Sequence, residues 1–160
     1  MRRRIAWLLI LLVDAGDVAW GGMAAAVPDR LPGPGGTPIL TAGYEGFSGE
    51  SWPDLVNIAP MAAKYVVLLF RMYGLFNLLF GLMAIAITVT AFRRGEPWAW
   101  WTLLVGNTIA LVAAMTYDRT VHAIGPFELS EYLGLALIYL ALALTAPVRQ
   151  HSRQAIAAAG

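Results

Sequence analysis

Four stretches of this chain are apolar over close to the ~20 residues that a helix needs to cross the ~30 Å hydrocarbon layer of a bilayer, and this feature decides the fold class. They fall at about 5–26, 61–92, 98–117 and 129–147. The composition agrees, with 59% of residues hydrophobic and 13% charged, about half the ~25% charge of a water-facing domain. That balance argues against a water-soluble enzyme. The expected architecture is all-α: a transmembrane four-helix bundle with a short extracytoplasmic amphipathic helix, forming a single membrane domain over 1–160. An outer loop occupies 27–60 and a cytoplasmic tail 148–160. The absence of cysteine excludes disulfides, thiolate metal sites and iron–sulfur clusters, and a net charge of +1 argues against a nucleic-acid partner.

The first span opens with Arg2, Arg3 and Arg4, continues through an apolar run and then meets Asp14 and Asp17. Its start has the layout of a signal peptide, with small residues at Ala24–Ala26 as a cleavage site. The stretch from Asp14 to Ala26 is long and acidic for the end of such a signal, so a retained helix is the preferred reading over a cleaved one.

Charge orders the four spans. With both termini cytoplasmic, the inner segments hold Arg2, Arg3, Arg4, Arg93, Arg94, Arg149 and Arg153 against one acid, Glu96. The outer segments and adjoining helix ends hold Asp29, Glu45, Glu50, Asp54, Asp118, Glu128 and Glu131, against Arg30, Lys64, Arg71 and Arg119. Lysine and arginine collect in cytoplasmic loops, so every loop supports the same orientation. Trp7, Trp98, Trp100 and Trp101 fit an aromatic belt at the inner headgroup layer.

The long loop divides in two. Its first part, PDRLPGPGGTP, is dense in Pro and Gly and is expected to lack regular structure. Ser51-Trp52-Pro53-Asp54 then resembles a helix start with a capping serine and an early proline, predicting a short amphipathic helix over 52–59. It would serve as a spacer that closes the bundle or as a flap that touches a ligand.

Carboxylates inside a span cost about 2.5–3.5 kcal/mol each near the bilayer centre and are functional candidates by default. Asp14 and Asp17 are spaced i, i+3, which puts them on one helical face with Trp7, Ile10 and Gly21. At ~1.5 Å rise per residue, Asp14 sits about 13 Å and Asp17 about 18 Å from the inner boundary. Asn107 (about 13 Å), Asn77 (about 18 Å) and Tyr139 (about 12 Å) come out at similar levels, and Arg71 is within snorkelling reach of Asp17. The candidate ligand or proton site is therefore Asp14, Asp17, Arg71, Asn77, Asn107 and Tyr139. In low dielectric the two carboxyls are expected to share a proton rather than both ionise. Three readings stay open for them: proton, cation or polar-ligand handling; structural pairing with Arg71 or the asparagines; and exposure, if the first span is cleaved. Gly74, Asn77 and Gly81 on span two, with Gly106, Asn107, Ala110 and Ala114 on span three, form small-residue faces that allow close helix approach.

Asp118, His122, Glu128 and Glu131 make a second, outer cluster. Oxygen and imidazole ligands of this kind can hold a divalent cation, and a solvated acidic rim is the alternative. His151 lies in the tail, so no histidine pair is available to ligate haem. Lys64 lies too near a span end for a retinal-type Schiff base. No nucleotide loop, catalytic triad or zinc signature occurs, so no cofactor and no catalytic residue is assigned.

Arg71-x-x-Gly74, Gly81, the Ser51-Trp52 helix start and the stretch Ala91-Phe-Arg-Arg-Gly-Glu-Pro-Trp-Ala-Trp100 resemble those of small bacterial four-helix membrane proteins that are loosely DoxX-like. The resemblance covers about 45–115 and implies a multi-pass protein of the bacterial cytoplasmic (inner) membrane more than an activity. DoxX-like proteins are associated with membrane redox components, and no cofactor ligand here carries that over. Small size and small-residue faces favour an accessory or interaction subunit of a membrane complex, with the bilayer and other membrane subunits or a second copy as partners. The midplane aspartates favour the alternative, a small proton-coupled transporter or ligand-binding membrane protein. A membrane enzyme using Asp14 and Asp17 as acid and base on a lipid or quinone is the third class and has the least behind it.

Overall fold

The computed structural model describes residues 2–122 and 126–146, the side chains of 126–128 excepted. Helices dominate: α1 (Arg2–Ala26), α2 (Ile39–Ser48), α3 (Trp52–Ile58), α4 (Pro60–Ile87), α5 (Pro97–Val121) and α6 (Pro126–Leu144). Among the described residues there is no β-strand, only an isolated bridge between Pro32 and Pro38. Three helices are long and apolar enough to cross a membrane: α1, α4 with its extension to Phe92, and α5. The fourth expected span is a shorter apolar helix over Leu129–Leu144, and its expected end at 147 lies outside the described residues.

Proline marks where helices begin. Pro53, Pro60 and Pro97 occupy the first turn of α3, α4 and α5, where the missing N–H costs nothing and the fixed φ suits the helix. Ala59 alone separates α3 from α4, with a non-helical backbone at φ −138°. At the other end of α4, Thr88–Phe92 winds as a π-helical turn. The chain then reverses at Gly95, whose φ of +86° is a left-handed conformation that glycine adopts without steric cost.

The four long helices pack around a ring in the order α4, α1, α6, α5. The α1/α4 seam is the tightest, because Gly21, Gly74 and Gly81 bring the two backbones together. A Cβ built on Gly74 would lie 2.6 Å from the Ala25 nitrogen, and one on Gly81 would lie 3.0 Å from the Asp14 carbonyl oxygen. The α5/α6 seam is tied by the Trp100 indole, which donates to the Leu142 carbonyl at 2.9 Å. By contrast α4 and α5 stay close only near the turn that joins them. A central core of Ile10, Ala84, Phe92, Leu103, Ile138 and Leu142 fills that end of the bundle.

The same end gathers the basic residues. Arg3 reaches over Gly95, the Arg93 guanidinium sits 5.5 Å from the centre of the Trp7 ring, and Arg94 pairs with Glu96 at 3.2 Å. At the opposite end α2 wedges against α5, with Gly46 pressed onto the Val121 carbonyl. This helix lies in the 27–60 loop, between the Pro/Gly stretch and the 52–59 helix, where no element is predicted from the sequence. Upstream of it, the Pro/Gly stretch forms two short 3-10 turns at Pro28–Arg30 and Pro34–Gly36. The predicted 52–59 helix is present as α3, but the Ser51 hydroxyl does not cap it. The Glu45 carboxylate of α2 accepts the Trp52 N–H instead, at 3.0 Å, and its negative charge suits a helix N-terminus.

Candidate functional site

The line Ala6, Ile10, Asp14, Gly21, Ala24 is the buried face of α1. Asp14 is 0% exposed, and neither of its carboxyl oxygens has a hydrogen-bond partner among the described residues. Asn107 lies in the same core at 1% exposure. Its amide nitrogen donates back to the Leu103 carbonyl at 3.1 Å, and its Oδ1 is unpartnered among the described residues. These two residues are buried between the helices and line neither of the spaces described below.

Asp17 is placed differently. Three residues further along α1 is a rotation of about 60° around the axis, and this turns Asp17 out of the core toward a cavity of about 220 Å³ bounded by α1, α4, α5 and α6. Its polar and aromatic lining is Asp17 and Trp20 from α1, Tyr73 and Asn77 from α4, and Ser130 and Glu131 from α6. Where α1 meets α6 the wall is closed by Val13, 3.2 Å from where a Cβ on Gly134 would stand. Asn77 donates to the Tyr73 carbonyl one turn back, at 3.3 Å.

A second, larger space of about 790 Å³ lies between α4 and α5 and is mostly apolar. Val66, Leu69 and Phe70 form its α4 wall, and Ala113 and Tyr117 contribute to its α5 wall. Leu40, Tyr44 and Phe47 of α2 stand over its wide end. Tyr73, Asn77, Ala110 and Ala114 line both spaces, so the small chamber, which carries the polar groups, and the apolar cleft share a wall. At the narrow end the cleft stops where the Phe80 ring comes within contact of Gly106, 3.4 Å from where its Cβ would stand. Tyr73 and Tyr117 are 39% and 49% exposed, which leaves the cleft open along its flank.

Aromatic rings flank the shared wall on both sides. The Trp20 ring meets Tyr73 edge-on at 5.4 Å and Phe70 at 6.1 Å, and Tyr73 stands 6.4 Å from Tyr117 across the cleft. Asp118 and Glu131 both act electrostatically on Tyr73. Asp118 turns inward and is buried, whereas His122 is exposed in a left-handed conformation after the end of α5. The Glu128 side chain lies outside the described residues, and among those residues no group of three potential metal ligands occurs.

The predicted site is therefore split. The structure brings Asp17 and Asn77 to the cavity and buries Asp14 and Asn107 in the core. Tyr139 faces neither: its hydroxyl shares a 2.9 Å hydrogen bond with Thr108 on the flank of the α5/α6 pair. Arg71 does not pair with Asp17. It lies exposed along a groove with Trp52, Val56 and Lys64, under α3 rather than over the cavity. The element that covers the cleft is α2, so α3 is not the flap. Trp20, Tyr73, Tyr117 and Ser130 were not singled out from the sequence. Trp20 is one turn beyond Asp17 and Tyr73 one turn before Asn77, so extending each polar residue by a helical turn would have found both.

Comparison of the chain with family models, with curated proteins and with solved structures finds no match.

Proposed function

We propose that the chain crosses a bacterial cytoplasmic membrane as a four-helix bundle, with the Arg3–Arg94 end in the cytoplasm, and binds a membrane-soluble amphiphile in the cleft between α4 and α5. The observation that carries this reading is the wall shared by the two spaces. Tyr73, Asn77, Ala110 and Ala114 line both spaces, so a molecule running past them would place an apolar tail against Phe70 and Ala113 and a polar head near Asp17 and Asn77. Binding sites generally combine an apolar cavity with a few convergent polar groups.

Large apolar side chains point outward on every long helix, among them Leu12, Phe76, Ile109 and Leu133. A helix that is apolar all round calls for lipid or protein on its outer face, which supports membrane insertion. The basic and aromatic residues gathered around Arg3, Arg93 and Trp7 support a cytoplasmic location for that end. The accessory-subunit reading drew on the small-residue face of α4. Gly74 and Gly81 of that face are packed inside the chain against α1, and this weakens the case for an outside partner there.

The chain has no cysteine, so single-cysteine variants report position cleanly. In bilayers, at least one of a set of ten-carbon amphiphiles with neutral, anionic or cationic heads is expected to slow maleimide labelling of Ala113→Cys in the cleft and to leave Leu82→Cys on the outer face of α4 unchanged. Equal rates with and without every one of these amphiphiles at both positions would overturn the cleft reading. In intact cells an impermeant maleimide is expected to label Asn57→Cys, and to label Arg94→Cys only after lysis. The reverse pattern would invert the orientation.

A further inference from the structure

The cleft reading leaves open what head group the chamber accepts, and the chemistry of its lining answers that. Asp17 and Glu131 supply two carboxyl groups from different helices, and Asp118 stands within electrostatic reach of the same tyrosine, Tyr73. Among the described residues that line them, neither space has a lysine, arginine or histidine. Arg71 and Lys64 are on the groove under α3, and Arg119 and His122, next to cleft-lining residues of α5, are exposed. An anionic head would enter beside carboxyl groups of two helices, which is unfavourable at low dielectric.

The aromatic rings point the same way. Trp20, Phe70 and Tyr73 meet one another at 5.4–6.2 Å with steeply inclined planes, and Tyr117 faces Tyr73 across the cleft. Two of these rings, Trp20 and Tyr73, line the chamber beside Asp17, and aromatic faces attract cations, quaternary ammonium groups among them. A quaternary ammonium carries no N–H and needs no acceptor aimed at it, which suits a chamber whose carboxyl groups, among the described lining residues, come from two separate helices.

We propose that the ligand is a lipophilic organic cation, with its ammonium group held by Asp17 and the Trp20–Tyr73 rings and its alkyl chain lying in the cleft between α4 and α5. This rests on the cleft reading and adds the sign of the head group. The pairing of carboxyl groups in the chamber with an apolar cleft favours such a cation over both neutral lipids and small inorganic cations. A neutral lipid head can donate a hydrogen bond to a carboxyl but gains no charge–charge attraction, and an inorganic cation leaves the apolar space unfilled.

The test uses three probes with the same ten-carbon tail: decyltrimethylammonium, decanol and decyl sulfate. Each is measured by equilibrium dialysis against the full chain in nanodiscs, with empty nanodiscs subtracted. The ammonium is expected to bind at least about tenfold more tightly than the other two. Asp17→Asn is expected to remove that preference and Asp17→Glu to retain it. Trp20→Leu, which keeps an apolar side chain, is expected to weaken the ammonium about tenfold and decanol far less. Equal binding of all three heads, or an ammonium preference that survives in Asp17→Asn, would overturn the cationic assignment and leave the cleft standing. Should none of the probes bind above empty nanodiscs, the cleft reading fails and the cationic assignment with it.

Discussion

The seam between α1 and α4 and the seam between α4 and α5 are both rich in small residues, and they have opposite outcomes. At the first, Gly21, Gly74 and Gly81 are matched across the interface, so the backbones touch. At the second, Ala110, Ala113 and Ala114 of α5 face Phe70, Tyr73 and Asn77 of α4. Small residues opposite large aromatic ones hold the helices apart without filling the gap, and α2 wedged at the wide end supports the separation. A small-residue face thus specifies close packing only when the facing helix is small at the same level.

The largest expected effect breaks the closed seam. Gly74→Ala places a methyl group against the backbone of Ala24 and Ala25, where nothing can rotate away. The cost is expected at or above the upper end of the ~1–3 kcal/mol typical of overpacking, read as a fall in thermal unfolding temperature by circular dichroism in mild detergent. Gly106→Ala, on the α4/α5 seam, meets only the Phe80 ring at 3.4 Å and is expected to change little. Equal losses at the two positions would remove the distinction between the seams.

The next effect separates the two aspartates. Asp14 is buried between the helices with both oxygens unpartnered among the described residues, and an unpaired buried polar group costs roughly 1–3 kcal/mol in protein mutational data. Asp14→Leu, which has the same branched outline with bulkier methyl groups in place of the two oxygens, is expected to stabilise the bundle by up to that amount, less the cost of fitting the methyls, and to leave amphiphile binding intact. Asp17→Leu is expected to do the opposite, losing binding with little change in stability. A destabilised Asp14→Leu would mean that Asp14 has a structural partner after all, and the contrast within α1 would fail.

How much of this was legible in the sequence depends on which coordinate is asked for. Position along the bundle axis follows from counting at ~1.5 Å per residue, and hydropathy located the long helices to within a few residues. Rotation about each axis does not follow from counting. Asp14 and Asp17 differ by about 60°, enough to put one in the core and one in the cavity. Tyr139 has the expected depth but sits about 100° around α6 from the inward-facing Ile138, and this is why it bonds to Thr108 instead. Helix α2 was hidden for another reason. ILTAGYEGFS follows a Pro/Gly stretch and contains two glycines of its own, which lower helix propensity. Those glycines are what allow it to dock, Gly43 beside the Tyr117 hydroxyl and Gly46 on the Val121 carbonyl.

Filling the open seam gives a smaller effect that sharpens the comparison. Ala113→Leu extends a side chain into the cleft from α5 without meeting backbone. Apolar burial at roughly 25 cal/mol per Å² is expected to leave stability equal or slightly raised, and the occupied volume is expected to weaken decyltrimethylammonium binding about tenfold. Unchanged binding in a folded Ala113→Leu would place the ligand elsewhere.

The smallest effect is expected at Gly22, and it is sharpest when set beside its neighbour on the same helix, Gly21. Gly21 faces α4, and a Cβ there would collide with the Leu78 nitrogen and stand 2.7 Å from the Gly74 carbonyl oxygen; Gly22 has nothing within 4 Å. In a helix interior alanine is favoured over glycine by about 0.8–1.0 kcal/mol. Gly22→Ala is therefore expected to raise stability by up to that amount, while Gly21→Ala lowers it by the overpacking cost of the closed seam, about 1–3 kcal/mol. Opposite signs at neighbouring positions require a sharply bounded contact stripe on α1. If both substitutions stabilise, the α1 and α4 backbones are further apart than Gly21, Gly74 and Gly81 place them. The closed seam would then resemble the open one.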